Sequence, residues 1–538
     1  MMRLGSVLFV IVLLPVVMVL VWAEPTPTIG LIYYDSTATS PGYTMFPPMN
    51  YPVAYLIDNR GMLVKSWRGA YTPGLSANLC TTGQFLRTCY VGNRVFTAGG
   101  AGGRVELVDW DGETMWAFTY SNNLVCQHHD AVMLPNGNVL MLAWEYKSRS
   151  EAIAAGRDST LLVYNCLWPD HLIEVDPDND SIVWEWHVWD HLIQDYDSTK
   201  ANYGDPRAHP ELIDLNYVAG LAVADWNHSN GIAYNPELDQ VVISVRQFSE
   251  IWVIDHSTTT AEAAGHTGGR YGRGGDLLYR WGNPQTYRRG NTIGQTLFGQ
   301  HDAQWIPPGL PGAGHILVFN NGLGRTPVPY SSVDEFVPPM DSAGFYHLGP
   351  DSAYGPAEPV WSYVASPRES LYSSTISGCQ RLANGNTLIC AGETGTIFEV
   401  TPDHRLVWKY INPVTRNGPQ MQGSILPIGS NMVFKARKYA PDYPGLAGRQ
   451  LDPQGPIETY PQAVAEGPVS GQPGRRCPTV VTGMLRLAGA ESAELIDASG
   501  RRQARLAPVL NDIGWLPAGV YFLRTGSGLR TEKVVVRR

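Results

Sequence analysis

The chain has 538 residues, of which only 16% are charged, and a net charge of -10, a balance that argues against a nucleic-acid partner. With 56 glycines and 40 prolines it is turn-rich, and 16 tryptophans and 27 tyrosines demand a core, which excludes a disordered chain.

Met1, Met2 and Arg3 precede an almost wholly apolar run from Leu4 to Val21. Val21-Trp22-Ala23 then places small or modest side chains where a signal peptidase reads. The run approaches the length of a membrane span. Pro15 and the Val-x-Ala end favour cleavage before Glu24 over a retained anchor. Residues 1–23 are therefore expected to be a signal peptide. The mature chain is expected to be exported, with no membrane span.

A short strand ending in an aromatic recurs along the chain: LVKSW (63–67), TMWAF (114–118), IVWEW (182–186), LLYRW (277–281), PVWSY (359–363) and LVWKY (406–410). Four copies follow an apolar strand and an Asp, Asn or Gly turn, at 56–61, 107–112, 173–180 and 398–403. That pattern spells a β-hairpin. A second hairpin is expected after each, at 128–142, 228–244, 301–319, 379–391 and 423–436, with a degenerate copy near 82–97. Two hairpins make a four-stranded sheet, and six copies make a ring of sheets. The predicted fold is all-β: a six-bladed β-propeller over 24–451, a Pro/Gly-rich linker over 452–478 and a small C-terminal β-sandwich over 479–538. Unequal spacing puts the largest insertions at 187–225 and 256–276. Such loops commonly carry function.

The seven cysteines are Cys80, Cys89, Cys126, Cys166, Cys379, Cys390 and Cys477. Cys80 with Cys89, and Cys379 with Cys390, are close enough in sequence to pair, but connectivity is not deducible and one thiol is left over. No cysteine spacing suggests zinc. DPDNDS (176–181) lacks the Gly and distal Glu of a calcium loop. GGRYGRGG (268–275) lacks a phosphate loop's Lys-Ser/Thr and reads as a flexible insertion. No metal and no cofactor are expected.

The chemistry is expected where the second hairpins open. Three begin with His129, His228 and His301. Equivalent positions on the inner strands of a propeller converge on one axial point. Arg246, in VVISVRQ (241–247), and Arg325, in VFNNGLGR (318–325), return to the blades of His228 and His301. A guanidinium beside imidazoles suits an oxyanion such as carboxylate, phosphate or sulfate.

From about Ile29 to Leu451 the chain resembles the arylsulfotransferase family of exported bacterial propellers. The residues that carry the likeness are DWNHSNGIAYNPELDQVVISVRQ (225–247), QHDAQWIP with HILVFNNGLGR (300–325), QRLANGNTLI (380–389) and FKARKYAPDYPGLAGRQL (434–451). The resemblance implies transfer of a sulfuryl group from a phenolic sulfate ester to a phenol, without a nucleotide donor, through a transiently sulfated histidine. By motif it assigns catalytic roles to His228, His301 and Arg325, while His128, His129 and Arg246 are expected to bind substrate. One departure stands out. The family's nucleophilic histidine is expected on the fifth blade's inner strand, where this chain reads STISGCQRL (374–382) with Ser377 near that place. His128 or His129 can supply an imidazole instead. The alternative is a surface propeller that binds a sulfated or anionic ligand without turning it over.

The tail resembles the C-terminal sorting domain of the bacterial type IX secretion system in LIDASGRR (495–502), LPAGVYFLR (516–524) and KVVVRR (533–538). That likeness implies the type IX machinery as a partner, passage across the outer membrane and a cell-surface or secreted destination.

Overall fold

Apolar strands punctuated by Asp, Asn and Gly turns fold this chain almost wholly as hairpins. The computed structural model describes residues 27–460, apart from 219 and 221, and strand segments between 479 and 536. The expected signal peptide, the stretch 461–478 and Cys477 lie outside the described residues. Within them, helix is confined to Arg149–Ala154, Thr260–Ala263 and short 3-10 turns, so the protein is all-β. No helix among them is long and apolar enough to cross a membrane.

After β1 (Gly30–Tyr34) come six antiparallel sheets in chain order. The first contains β2 (Tyr43–Phe46), β3 (Val53–Asp58) and β4 (Leu63–Arg68). The second contains β5 (Pro73–Leu79), β6 (Phe85–Tyr90), β7 (Gly103–Val108) and β8 (Thr114–Thr119). The third contains β9 (Val125–Met133), β10 (Val139–Glu145), β11 (Asp170–Asp176) and β12 (Ser181–His187). The fourth contains β13 (Ser229–Asn235), β14 (Gln240–Val245), β15 (Glu250–Asp255) and β16 (Tyr279–Trp281). The fifth contains β17 (His301–Trp305), β18 (Ile316–Asn320), β19 (Ser332–Phe336) and β20 (Trp361–Val364). The sixth contains β21 (Gly378–Arg381), β22 (Thr387–Ala391), β23 (Thr396–Val400) and β24 (Leu406–Ile411). Strand β1 pairs with β24, and β25 (Arg437–Tyr439) pairs with β2, so both ends of this region are tied into sheets.

The recurring aromatic has one job throughout. Trp67 Nε1 donates to the Trp110 carbonyl in the second sheet's turn, and Trp116 Nε1 to Asp180 in the third's. Trp184 donates to Thr258, Trp281 to the Pro356 carbonyl, Trp361 to the Pro402 carbonyl and Trp408 to the Asn59 carbonyl. Each indole thus reaches the following sheet, and the sixth sheet reaches the first. First strands touch in the same order. Ile232 N–H donates to Asp130, Asn230 to the Gln300 carbonyl and Cys379 N–H to Asp302. Gln380 donates to the Lys438 carbonyl, and Leu79 N–H to the Tyr439 hydroxyl.

The structure corrects four expectations. In the third, fourth and fifth sheets the histidine hairpin precedes the aromatic hairpin, so the aromatic strand is the far one. Residues 423–436 form no hairpin, because β25 alone completes the first sheet. Six cysteines are buried free thiols. Cys379 lies opposite Ile389 and Cys390 opposite Gly378, so the two thiols point to opposite faces. Cys89 lies opposite Pro73, at the far end of the hairpin from Cys80. The start of the expected linker belongs to the body: Gln454 and Gly455 bond the backbone of Leu63, and Ile457 joins a buried cluster.

In the C-terminal region, Thr479–Val481, Arg530–Val536, Gly519–Thr525, Ala493–Asp497 and Arg502–Leu506 form one sheet in that order. Met484–Arg486 pairs with Leu510–Asp512. Leu485, Leu495, Leu506 and Val534 share one buried cluster across both sheets.

Candidate functional site

The inner strands carry bulges at one end. Pairing slips between Ala131 and Gln127, Ser229 and Gly231, and His301 and Gln304. The backbone there is left-handed at His129 (φ 51), His228 (φ 54), Asp302 (φ 58) and Ser377 (φ 90). Non-glycine residues in that region cost about 1–3 kcal/mol each, and such strain clusters where side chains must be aimed. The bulges re-aim the inner-strand side chains toward each other.

His128 is fully buried, with Nε2 3.2 Å from Asp170 Oδ1 at a poor hydrogen-bond angle. Its Nδ1 lies 2.8 Å from Nδ1 of His129. Asp170 Oδ1 faces Nε2 and can only accept, which favours the tautomer with the His128 proton on Nε2. His129 then donates from Nδ1, and its Nε2 keeps a lone pair. Gly100 crosses the His129 ring with φ 95, and any side chain there would strike the imidazole.

His228 donates from Nδ1 to Asp225 Oδ2, leaving a lone pair on Nε2. Its side chain keeps 13% exposure. The His129 and His228 rings meet edge to face at 4.7 Å. Phe434 packs 6.0 Å from His129 and 6.3 Å from His301. His301 is differently engaged. Its Nε2 accepts from Ile376 N–H at 3.1 Å, so Nδ1 donates to Asn321 Oδ1 at 2.8 Å. Both nitrogens are consumed within the protein.

Burial lowers His301 to about 3, helped by the Arg246 charge. Burial, then His228 and His128, hold His129 well below the usual imidazole value. Both rings are neutral at pH 7. Arg246 follows β14, and its N–H donates to the His228 carbonyl at 3.1 Å. Burial lowers its pKa, against the raising fields of Asp225 and Glu393. Glu393 is itself held by Ser374 Oγ at 2.7 Å and Thr375 Oγ1 at 2.8 Å.

An ionic floor lies next to Phe434. Lys435 Nζ sits 2.6 Å from Asp130 Oδ2 and 3.7 Å from Asp302 Oδ1, and Arg437 grips Asp302. Asp130 also accepts from Ile232 N–H, and Asp302 from Cys379 N–H. The third, fourth, fifth, sixth and first sheets are joined there.

The structure thus brings His128, His129, His228, His301 and Arg246 together. Arg325 lies elsewhere: it bonds the Tyr330 carbonyl and Ser332 Oγ, each at 3.0 Å, and covers the Tyr330 ring. Ser377 has left-handed backbone like His129 and His228 and immediately precedes β21. Its Oγ bonds Ser373 Oγ at 2.9 Å and accepts from Gly392 N–H. Sequence reading missed Asp225, Asp170, Asn321 and the Lys435 floor. Asp225 stood three residues before His228 within a quoted motif. Asn321 and Lys435 also lay within quoted motifs, whereas Asp170, 42 residues from His128, left no local signal.

The molecule is therefore an all-β protein of repeated antiparallel sheets with a histidine-rich site on its inner strands. The arylsulfotransferase (ASST) family model matches residues 92–417, more than half of the chain. The chain belongs to the arylsulfotransferase family. Membership supports an arylsulfotransferase-like function on small-molecule aryl substrates. No curated protein matches the chain.

Several solved structures are similar at low identity. A protein of unknown function from Bacteroides caccae is 11% identical, with TM-score 0.40, over 74% of this chain and 99% of that one. A putative 6-phosphogluconolactonase from Bacteroides fragilis is 11% identical, with TM-score 0.34, over 77% and 98%. AztD from Citrobacter koseri is 10% identical, with TM-score 0.32, over 74% and 99%.

Proposed function

We propose that this protein is an exported six-bladed propeller that transfers a sulfuryl group from a phenolic sulfate ester to a phenol through a sulfo-histidine. The observation that carries the reading is the Asp225–His228 pair beside a neutral His129 and Arg246. His228 Nε2 is the partly exposed nucleophile. It forms the N–S bond as the ester S–O bond breaks and phenolate leaves. Asp225, on Nδ1, balances the positive ring that results. Arg246 meets the negative sulfuryl oxygens. His129 Nε2, unprotonated at neutral pH, then takes the proton of the acceptor phenol as its oxygen attacks sulfur and the N–S bond breaks, which restores His228, and it passes that proton to the released phenolate or to water. His301 is a positioning residue that fixes the Ile376–Ser377 backbone. The returning contacts between the sixth, first and second sheets support the propeller. The apolar start and the basic β-rich tail support export by the type IX route to the cell surface or medium.

Peptide mass spectrometry after mixing with p-nitrophenyl sulfate tests the chemistry. A mass gain of one SO3 group on His228, absent in His228→Ala, is expected. A specific observation favours a second reading: Ser377, with left-handed backbone, stands about where the family's histidine is expected. Binding of aryl sulfate with neither adduct nor turnover would select that reading, a non-catalytic anion-binding propeller.

A further inference from the structure

The two large insertions meet away from the imidazole cluster. His191 follows β12 of the third sheet, while His266 and Asp276 sit in the Gly-rich loop between β15 and β16 of the fourth. His191 Nδ1 and His266 Nδ1 each lie 2.8 Å from the same oxygen, Asp276 Oδ1. Among the described residues, this is the one group of at least three His, Cys, Asp or Glu side chains whose ligand atoms all lie within 4.8 Å of one another.

The proton inventory of His191 is informative. Its Nε2 is 2.8 Å from the Ala263 carbonyl, which only accepts, so Nε2 carries a proton. In the neutral ring, Nδ1 then points a lone pair at a carboxylate oxygen that is also only an acceptor. A proton or a metal ion can bridge them. A metal ion needs the tautomer already present, because ligating imidazoles characteristically give their other N–H to a carbonyl or carboxylate. The ring is also pre-set. Trp186 stacks on His191 at 5.7 Å with planes 7° apart and donates to the Gly275 carbonyl at 2.7 Å. At Gly275 any side chain would collide with His191 and the Ala263 carbonyl. His266 keeps 59% side-chain exposure, which leaves one side open to water.

We propose that His191, His266 and Asp276 bind a zinc ion, with water as the fourth ligand, and that the ion clips the 256–276 insertion to the loop after the third sheet. Two imidazole nitrogens and one carboxylate oxygen suit zinc, whereas calcium requires six to eight oxygens and magnesium an octahedral oxygen shell. Each imidazole nitrogen, now 2.8 Å from Asp276 Oδ1, moves outward by about half an ångström to admit bonds of about 2.0–2.2 Å in a tetrahedron. The clip does in an all-thiol body what a disulfide would otherwise do.

The test uses the full chain, stripped with EDTA and dialysed, then titrated with zinc chloride by calorimetry and with cobalt for its visible d–d absorption. One equivalent of zinc and a tetrahedral cobalt spectrum are expected. Affinity should fall by about 100-fold or more in His266→Ala and Asp276→Asn, the scale on which even outer-shell changes act. His266→Ala is the decisive variant, because its exposed ring is not needed for folding. His228→Ala is the control for the other imidazole cluster and should bind zinc as the parent does. Failure of the parent to bind stoichiometrically, or binding that survives His266→Ala or disappears in His228→Ala, overturns the proposal.

Discussion

Lys435→Met should expose how much the ionic floor contributes. The methionine keeps the apolar stem and removes only the charge. Lys435 is 4% exposed and Asp130 1%, so their 2.6 Å contact is shielded from water. Without it, Asp130 keeps only backbone N–H donors, from Ile232 at 3.2 Å and from Ala131 at 3.0 Å. Asp302 keeps Arg437 and needs no rescue. Breaking a buried pair by removing one partner costs about 3–5 kcal/mol. With an unfolding entropy of ~2.1 cal/mol/K per residue over about 430 residues, that lowers Tm by about 3–6 °C. Scanning calorimetry of the parent, of Lys435→Met and of Lys435→Met with Asp130→Asn measures it. The double variant should regain at least half of the loss, because an amide requires no counter-charge. A single-variant shift under about 1 °C, or a double variant no better than the single, would refute the reasoning.

Asp225→Asn keeps the shape behind His228 but removes the charge. A charge-assisted hydrogen bond of about 1.5–3 kcal/mol predicts a loss of roughly 10–150-fold in kcat for p-nitrophenyl sulfate with KM little changed. A twofold effect would detach Asp225 from the chemistry. Arg246→Gln should raise KM for the donor about tenfold or more, whereas Arg325→Lys, at a guanidinium already engaged by the Tyr330 carbonyl and Ser332 Oγ, should leave it within about twofold. The reverse ranking in steady-state kinetics would restore Arg325 to the site. Two opposite pH limbs are expected in urea unfolding. His301, lowered to about 3 by burial and Arg246, is neutral when folded and protonated when unfolded below about 6.5. Its contribution is therefore lost as pH falls from about 6.5, by up to ~1.4 kcal/mol per pH unit, and His301→Gln should flatten that limb. Burial opposes charge on His256, but Asp239 and Glu174, each 2.8 Å away, raise it to about 9. Its stabilisation is full below about 6.5 and lost as pH rises to about 9, and His256→Gln should remove that alkaline loss.

Much of this was legible locally. Period-two apolar runs, turn residues and a repeated aromatic specify hairpins, because the hydrogen bonds and turn geometry of a hairpin join residues only a few positions apart. The same locality made His129, His228 and His301 visible, each opening an inner hairpin. The C-terminal runs 493–506 and 519–528 likewise read as short alternating strands, and strands span 493–497, 502–506 and 519–525 within them.

The tertiary structure decided what depends on distant partners. Sequence order does not say which hairpins share a sheet, so the phase of each four-stranded sheet came only from the strand pairing. A one-residue pairing offset separated Cys379 from Cys390, because neighbouring strand residues face opposite ways. Tautomers and charge balance were also non-local. Asp170 sits 42 residues from His128, Lys435 305 residues from Asp130 and Asp276 85 residues from His191. The sequence alone determined the all-β hairpins and a histidine-rich inner strand set. Only folding decided which imidazoles keep a lone pair, since that depends on whether a carboxylate, an amide or a backbone N–H from another sheet meets each ring.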